Sequence, residues 1–313
     1  MRAAGAFGVA GARRVTTAGL LTVRADFAEG RLKHVDVALR RPPVAQLFVG
    51  QSPEAVVRIV PCLYAICARA QRLTAQAALA AAAGDATQPA DDAGLWIEML
   101  HENLWRLLLD WPPALGLPPA QAAFIAWRAA RHDGCCAEAT RRLLADVLDG
   151  LAEKCLARLV DRDSDVACGP VAPTPDEWLA RWREGADFRP ALSAPPSIRA
   201  AYRGRIAEVE RATAALASGA PFQLAAAGGN GWGVAQTVTA RGVLTHAVRL
   251  EAGTVTRYRV TAPTDVVFAD AGALRGLLDG AHFASSEDAK RSLQLAVLAL
   301  DPCLPHVLEV NDA

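Results

Sequence analysis

Two stretches of alternating apolar residues, one near each end of the chain, set the firmest limit on how it folds. In the first, Leu21, Val23, Ala25 and Phe27 lead into Ala28-Glu29-Gly30, and Leu32, Val35, Val37 and Leu39 follow. In the second, Val243 to Leu250 and Thr254 to Val260 flank Glu251-Ala252-Gly253. A period of two with a glycine at the joint is the pattern of a β-hairpin. Successive strand side chains point to opposite faces, and the tight turn needs a residue that tolerates positive φ. Hairpins are therefore expected over 20–39 and within 240–313, in one small sheet or in two.

Between them, over 54–218, the apolar period is helical. Pro53 suits a helix start, Glu54 to Val60 continues it, and Pro61, with no N–H to donate, is expected to break it. Leu63 to Ala83 reads as a long alanine-rich helix ended by Gly84, and 83–93 as a loop. Leu95, Met99, Leu100, Leu104, Leu107 and Leu108 share one helical face, which is expected to stop at Trp111-Pro112-Pro113. Further helices are expected at 119–131, 136–161, 175–184 and 197–218, with 163–174 and the Gly/Ala-rich 219–233 as connections. Ser285-Ser286-Glu287-Asp288 places acidic residues at the positive end of a helix dipole, leading through 287–300 to Asp301-Pro302-Cys303. The expected architecture is mostly α with β-hairpins near both ends (α+β), as a single domain over 1–313.

The charge balance removes whole classes of function. With 33 Lys+Arg against 33 Asp+Glu in 313 residues, no net charge is available to hold nucleic acid or an anionic membrane surface. No apolar run reaches the ~20 residues that a spanning helix needs, and a 52% apolar content is ample for a core. Arg13-Arg14 and the apolar residues after them are too short for an export signal and run straight into the first strand, so they are assigned to the folded domain. The seven cysteines (Cys62, Cys67, Cys135, Cys136, Cys155, Cys168 and Cys303) include no CxxC pair. Such a set implies thiols or metal ligands in a reducing compartment, and hence a cytoplasmic protein.

The motifs are more specific. Ala240-Arg241-Gly242-Val243-Leu244-Thr245-His246 opens the second hairpin, Ala262-Pro263-Thr264-Asp265 follows it, and Asp301-Pro302-Cys303-Leu304-Pro305-His306 follows the last helix. Gly50-Gln51-Ser52-Pro53 precedes a region holding Cys67. In order and spacing these segments resemble the large subunit of nickel–iron hydrogenases, reduced in size. That family has Pro-Arg-Gly-x-Leu-x-His, Val-Pro-Thr/Ser and Asp-Pro-Cys-x-x-Cys-x-x-His segments, and an N-terminal Arg-x-Cys-Gly-x-Cys-Pro-x-x-His motif. The likeness covers both outer thirds of the chain.

The departures carry as much meaning as the matches. Cys67 and Cys303 match family cysteines. Tyr64 and His306 stand in place of the other two, Cys62 replaces the arginine of the first motif, Gln71 replaces its histidine, and Glu309 stands where the last histidine would be. The proton-carrying glutamate of the family falls on or near Ala45. A nickel site built from four soft thiolates would be weakened by these changes, so the resemblance implies neither nickel nor hydrogen turnover. It implies instead a site for iron with cyanide and carbonyl ligands, held transiently. Cys67 and Cys303 would ligate, Cys62 or His306 would complete the set, and Arg241 and Thr264 would line the diatomic ligands. This pattern resembles the HupK/HoxV-type hydrogenase maturation factors.

Each residue also has a plainer role. Cys67 and Cys303 suit a core; Cys62, beside Pro61 at a helix start, suits packing as well as ligation; His306 suits an exposed chain end; His246 suits a hydrogen-bonded structural place. Cys135 and Cys136 suit packing, and Gly228-Gly229-Asn230-Gly231 only superficially resembles a phosphate loop. The function expected is that of a non-catalytic scaffold or carrier in hydrogenase maturation, with the large-subunit precursor and maturation chaperones as partners. The alternatives are a metal-free protein that mimics the large subunit towards those chaperones, and a divergent Cys/His metalloenzyme.

Overall fold

The computed structural model describes residues 19–85, 91–131, 134–159, 172–185 and 194–312. Arg13, Arg14 and Cys168 lie outside them. In chain order the elements are β1 (Leu20–Ala28), β2 (Arg31–Arg40), α1 (Pro53–Leu63), α2 (Ala68–Ala83), α3 (Asp92–Trp105), α4 (Trp111–Ala114), α5 (Gln121–Ala130), α6 (Cys136–Leu143) and α7 (Asp149–Leu156). They continue with α8 (Pro175–Glu184), α9 (Ile198–Ser218), β3 (Leu224–Gly229), β4 (Trp232–Thr239), β5 (Gly242–Glu251), β6 (Thr254–Thr261), α10 (Pro263–Val267), α11 (Gly272–Leu278), α12 (Ser286–Leu300) and β7 (His306–Asp312). No helix among the described residues is long and apolar enough to cross a membrane.

The strands form two sheets. One has the order β2-β1-β7, with β1 antiparallel to β2 and parallel to β7; the other is the antiparallel β3-β4-β5-β6. Three hairpins turn through pairs of residues with positive φ: Glu29-Gly30, Asn230-Gly231 and Ala252-Gly253. That geometry matches the right-handed twist of the strands it joins. Helix α2 lies across one face of the second sheet so closely that a Cβ on Gly233 would sit 2.0 Å from the Ala78 carbonyl oxygen. On another side Trp178 and Trp182 of α8 pack with Val234 and Ala247. The largest apolar core joins the first sheet to α3, α9 and α12 through Leu21, Val23, Leu100, Leu107, Val209 and Leu293.

Several boundaries differ from the sequence expectation. The 219–233 stretch contains β3 and the start of β4, and Asn230-Gly231 is their hairpin turn. Pro61 lies inside α1, which continues to Leu63; the break falls at 64–67, and α2 starts at Ala68. Pro61 forfeits one backbone bond in the last turn, where the helix is about to end anyway. The α3 helix also runs on through a π-turn at Arg106–Asp110 into α4, so Trp111-Pro112-Pro113 opens a helical turn. Prolines are tolerated there because the first N–H groups of a turn have no intrahelical acceptor.

Candidate functional site

The C-terminal half of the site is assembled by the parallel pairing of β7 with β1. Leu21 stands opposite His306, and Leu20 opposite Arg40, so β2 exits and β7 enters at the same end of the sheet. Arg41, one residue past β2, thereby meets Cys303, three residues before β7. The Nη2 of Arg41 donates to the Cys303 sulfur at 3.0 Å. Thr264, buried in the first turn of α10, donates its Oγ1–H to the same sulfur at 3.2 Å and accepts from the Cys303 backbone N–H at 3.2 Å. Nε of Arg41 lies 2.8 Å from Oδ1 of Asp265.

Behind Cys303 is a buried ion network. Asp301 ends α12 with φ +50° and a carboxylate buried from solvent. It accepts from Arg106 Nε at 2.6 Å and Arg205 Nη2 at 2.8 Å, and lies 3.3 Å from Arg241 Nε. Burial alone would raise the Asp301 pKa, but Arg205, Arg241 and Arg106 hold it down at about 2. Arg241 occupies the two-residue turn between β4 and β5, since Thr239 pairs with Gly242. Its Nη2 donates to Glu102 at 2.9 Å. Burial opposes its charge, and the Asp301, Glu102 and Cys303 charges outweigh that opposition, so it stays protonated.

Cys67 forms the N-terminal half, as the residue capping the start of α2. A thiol at a helix N-terminus is ordinarily favoured as thiolate. Here, however, the first free N–H groups of α2, those of Arg69 and Ala70, donate to the Glu98 carboxylate at 2.8 and 2.9 Å. Burial pushes the Cys67 thiol up to about 12, opposed by a Gln71 Nε2–H donor 3.6 Å from the sulfur. Cys303 adds to that rise and Arg241 opposes it, which puts both sulfurs and this guanidinium in one electrostatic neighbourhood. Tyr64 belongs to it as well: burial pushes its phenol up to about 12, with Asp265, Cys67 and Cys303 adding to the rise and Arg41 opposing it. Arg41, Tyr64 and Asp265 line a cavity of about 300 Å³ together with Pro43, Ala45 and Leu63.

The fold therefore brings Cys303, Thr264, Arg241 and Cys67 together, and leaves Cys62 and His306 elsewhere. Cys62 is exposed near the C-terminal end of α1, not at a helix start, and its thiol faces the Arg58 carbonyl oxygen 3.8 Å away. His306, at the start of β7, borders a groove with Arg106, Asp110, Glu287, Lys290 and Gln294. Among the described residues no three His, Cys, Asp or Glu side chains converge in a metal-holding group. Two sulfurs alone do not fill the coordination shell of a bare ion. Sequence reasoning missed Arg41 altogether, gave Asp265 no role beyond its place in the Ala262-Pro263-Thr264-Asp265 segment, and treated Tyr64 and Gln71 only as replacements. Nothing local marks Arg41, which is simply the residue between a strand and Pro42-Pro43.

No family model matches the chain. It is 32% identical to the hydrogenase expression/formation protein HupK of Azotobacter vinelandii, over 95% of this chain and 100% of that protein. It is 30% identical to the hydrogenase expression/formation protein HupV of Azotobacter chroococcum mcd 1, again over 95% and 100%. Its fold matches a chain of the Ni-Fe-Se hydrogenase from D. vulgaris Hildenborough with a TM-score of 0.57, over 88% of this chain and 94% of that one, at 10% identity. The hydrogenase-like architecture expected from the motifs is thus the architecture found. Kinship across the full length of both relatives means that the chain belongs to the HupK/HupV family of hydrogenase expression/formation proteins.

Proposed function

We propose that this protein is a non-catalytic accessory factor of nickel–iron hydrogenase maturation. It receives an iron–cyanide–carbonyl unit as cargo on Cys67 and Cys303 and passes it on to the large-subunit precursor or to a maturation chaperone. The observation that carries this reading is the donor set around Cys303, where a guanidinium and a hydroxyl both donate to one sulfur. Hydrogen bonds of this kind are strongest to a sulfur that carries the charge of a metal-bound thiolate. Two thiolates and two cyanides on Fe(II) make a dianion, and the guanidiniums of Arg41 and Arg241, each also paired with a carboxylate, stand in this partly desolvated site and oppose that charge. Iron of this kind already carries three diatomic ligands, so two protein sulfurs are a reasonable complement, and few enough to allow release. Thiols kept reduced for this purpose accord with a cytoplasmic setting.

The test is infrared spectroscopy of the protein purified after co-expression with the maturation machinery, with iron analysis alongside. Cyanide and carbonyl stretches that vanish in Cys67→Ala/Cys303→Ala are expected; their absence from the native protein would overturn the carrier reading. A second reading draws on the exposed apolar side chains Leu47, Val49, Leu63 and Ile66 around the segments that enter and leave α1. On that reading the protein engages the chaperones by its surface and holds no metal. Normal hydrogenase maturation in the double cysteine variant would favour it.

A further inference from the structure

His246, fully buried on β5, has both ring nitrogens engaged. Nδ1 lies 2.8 Å from the Tyr258 hydroxyl and Nε2 lies 2.9 Å from Oε1 of Gln71. Gln71, also buried, turns its Nε2 to the Cys67 sulfur. Burial holds the imidazole pKa down at about 3, so the ring is neutral and carries one N–H. Because an amide oxygen only accepts, that hydrogen belongs on Nε2. Nδ1 then accepts from Tyr258. The result is a chain with a fixed direction: Tyr258 O–H to His246, His246 N–H to Gln71, Gln71 N–H to Cys67.

We propose that Gln71 is a positioning residue for the Cys67 sulfur, with its amide held the right way round by His246 and Tyr258, so that Cys67 always faces an N–H donor. This deepens the reading of Cys67 as a cargo ligand and rests on it. Reversing the chain would turn the Gln71 carbonyl oxygen towards the sulfur and repel a metal-bound thiolate. It would also require an Nδ1–H tautomer and leave the Tyr258 hydroxyl hydrogen with no acceptor among the described residues. Buried donors without acceptors are costly, so the observed direction is the stable one. His246 and Tyr258 make no hydrogen bond to the sulfur; they act through Gln71.

The experiment has two readouts on the full chain in a Cys62→Ser, Cys135→Ser, Cys168→Ser background. The first is the His246 tautomer, read from long-range ¹⁵N–¹H correlation. The second is Cd²⁺ affinity, read from the ultraviolet sulfur-to-cadmium charge-transfer band. The native background is expected to show the Nε2–H tautomer, and Tyr258→Phe a mixture of both. Gln71→Glu, which still accepts from His246 but offers the sulfur no N–H, and Gln71→Leu should each bind Cd²⁺ about tenfold more weakly, the scale of one lost hydrogen bond to a charged group. A cadmium band with unchanged affinity in both Gln71 variants, or an Nδ1–H tautomer in the native background, overturns this inference alone. No cadmium band at all in the native background overturns the ligand reading beneath it as well.

Discussion

The Cys303 sulfur is held by Arg41, a residue 262 positions earlier, whose Nη2 approaches it to 3.0 Å. The two meet because β1 pairs antiparallel with β2 and parallel with β7, which places the exit of one outer strand beside the entrance of the other. Burial works against the Arg41 charge, yet Cys303 and Asp265 outweigh it and hold the guanidinium pKa above its ordinary value. A fixed cation therefore stands at the sulfur without needing a flexible loop to deliver it.

Removing that cation should empty the site before it harms the fold. Arg41→Met and Thr264→Val each delete one donor to Cys303, and a hydrogen bond to a charged group is worth roughly 1.5–3 kcal/mol. Cargo occupancy, measured as carbonyl and cyanide infrared intensity per protein, is expected to fall tenfold or more in each. Thr264→Ser keeps the hydroxyl and should restore most of it. Intensity that stays constant across the three variants would detach the donor set from cargo binding.

Asp301 is the opposite case, a residue whose loss should harm the fold first. Three guanidiniums, from Arg106, Arg205 and Arg241, rely on its buried carboxylate. Breaking a buried pair by removing one partner costs about 3–5 kcal/mol, because the remaining charge is left uncompensated. Asp301→Ala should lower the urea midpoint accordingly, with the unfolding slope unchanged. A shift below about 1 kcal/mol would mean that Glu102 and Asp110 alone can neutralise the cluster.

Much of this was legible in the chain itself. The period-two alternation gave both hairpins, and the Ser285 cap gave α12, whose Asp288 N–H donates to Ser285 Oγ at 3.2 Å. The motifs brought Cys67, Cys303, Arg241 and Thr264 into one neighbourhood. What escaped was decided by tertiary contact. The β3–β4 hairpin is hidden because its Ala/Gly composition reflects the alanine face of α2 lying on it, not a lack of structure. Its Asn230-Gly231 turn was a local hairpin signal all the same. Arg41, just past β2, and Glu102, on α3, are tied to the site by contacts 262 and 139 positions apart, which no spacing in the sequence announces; Gln71, by contrast, stands one helical turn from Cys67.

The close approach of α2 to the second sheet makes Gly233 a sharp probe. A Cβ at that position meets the Ala78 carbonyl oxygen at 2.0 Å and the Ala82 nitrogen at 2.7 Å, both of them backbone atoms of α2. Backbone does not swing aside as a side chain does, so Gly233→Ala must push helix and sheet apart. Overpacking of this kind costs about 1–3 kcal/mol. Calorimetry should show a lower Tm for Gly233→Ala, while Gly253→Ala, at a solvent-facing turn with nothing within 4 Å, should lose only the smaller cost of its positive φ. Equal losses at the two sites would show that α2 yields.

Acid should act through His246. Burial sets its folded pKa at about 3, against an ordinary value of 6.5. Above pH 6.5 the imidazole is neutral in the folded and the unfolded chain, and its contribution is fully present. As the pH falls below 6.5 the unfolded chain takes up a proton that the folded chain refuses until about pH 3, so the folding equilibrium loses a factor approaching ten per pH unit. Asp301 contributes with the same sign lower down, because its folded pKa of about 2 lies below the ordinary 3.8 and its stabilisation fades as the pH drops through that window. Urea unfolding between pH 6.5 and 5 should therefore show a slope of stability against pH that His246→Gln reduces by about one proton, whatever its own stability. An identical slope in the variant would mean that His246 is protonated in the folded chain, and the neutral, one-directional chain from Tyr258 to Cys67 could not hold.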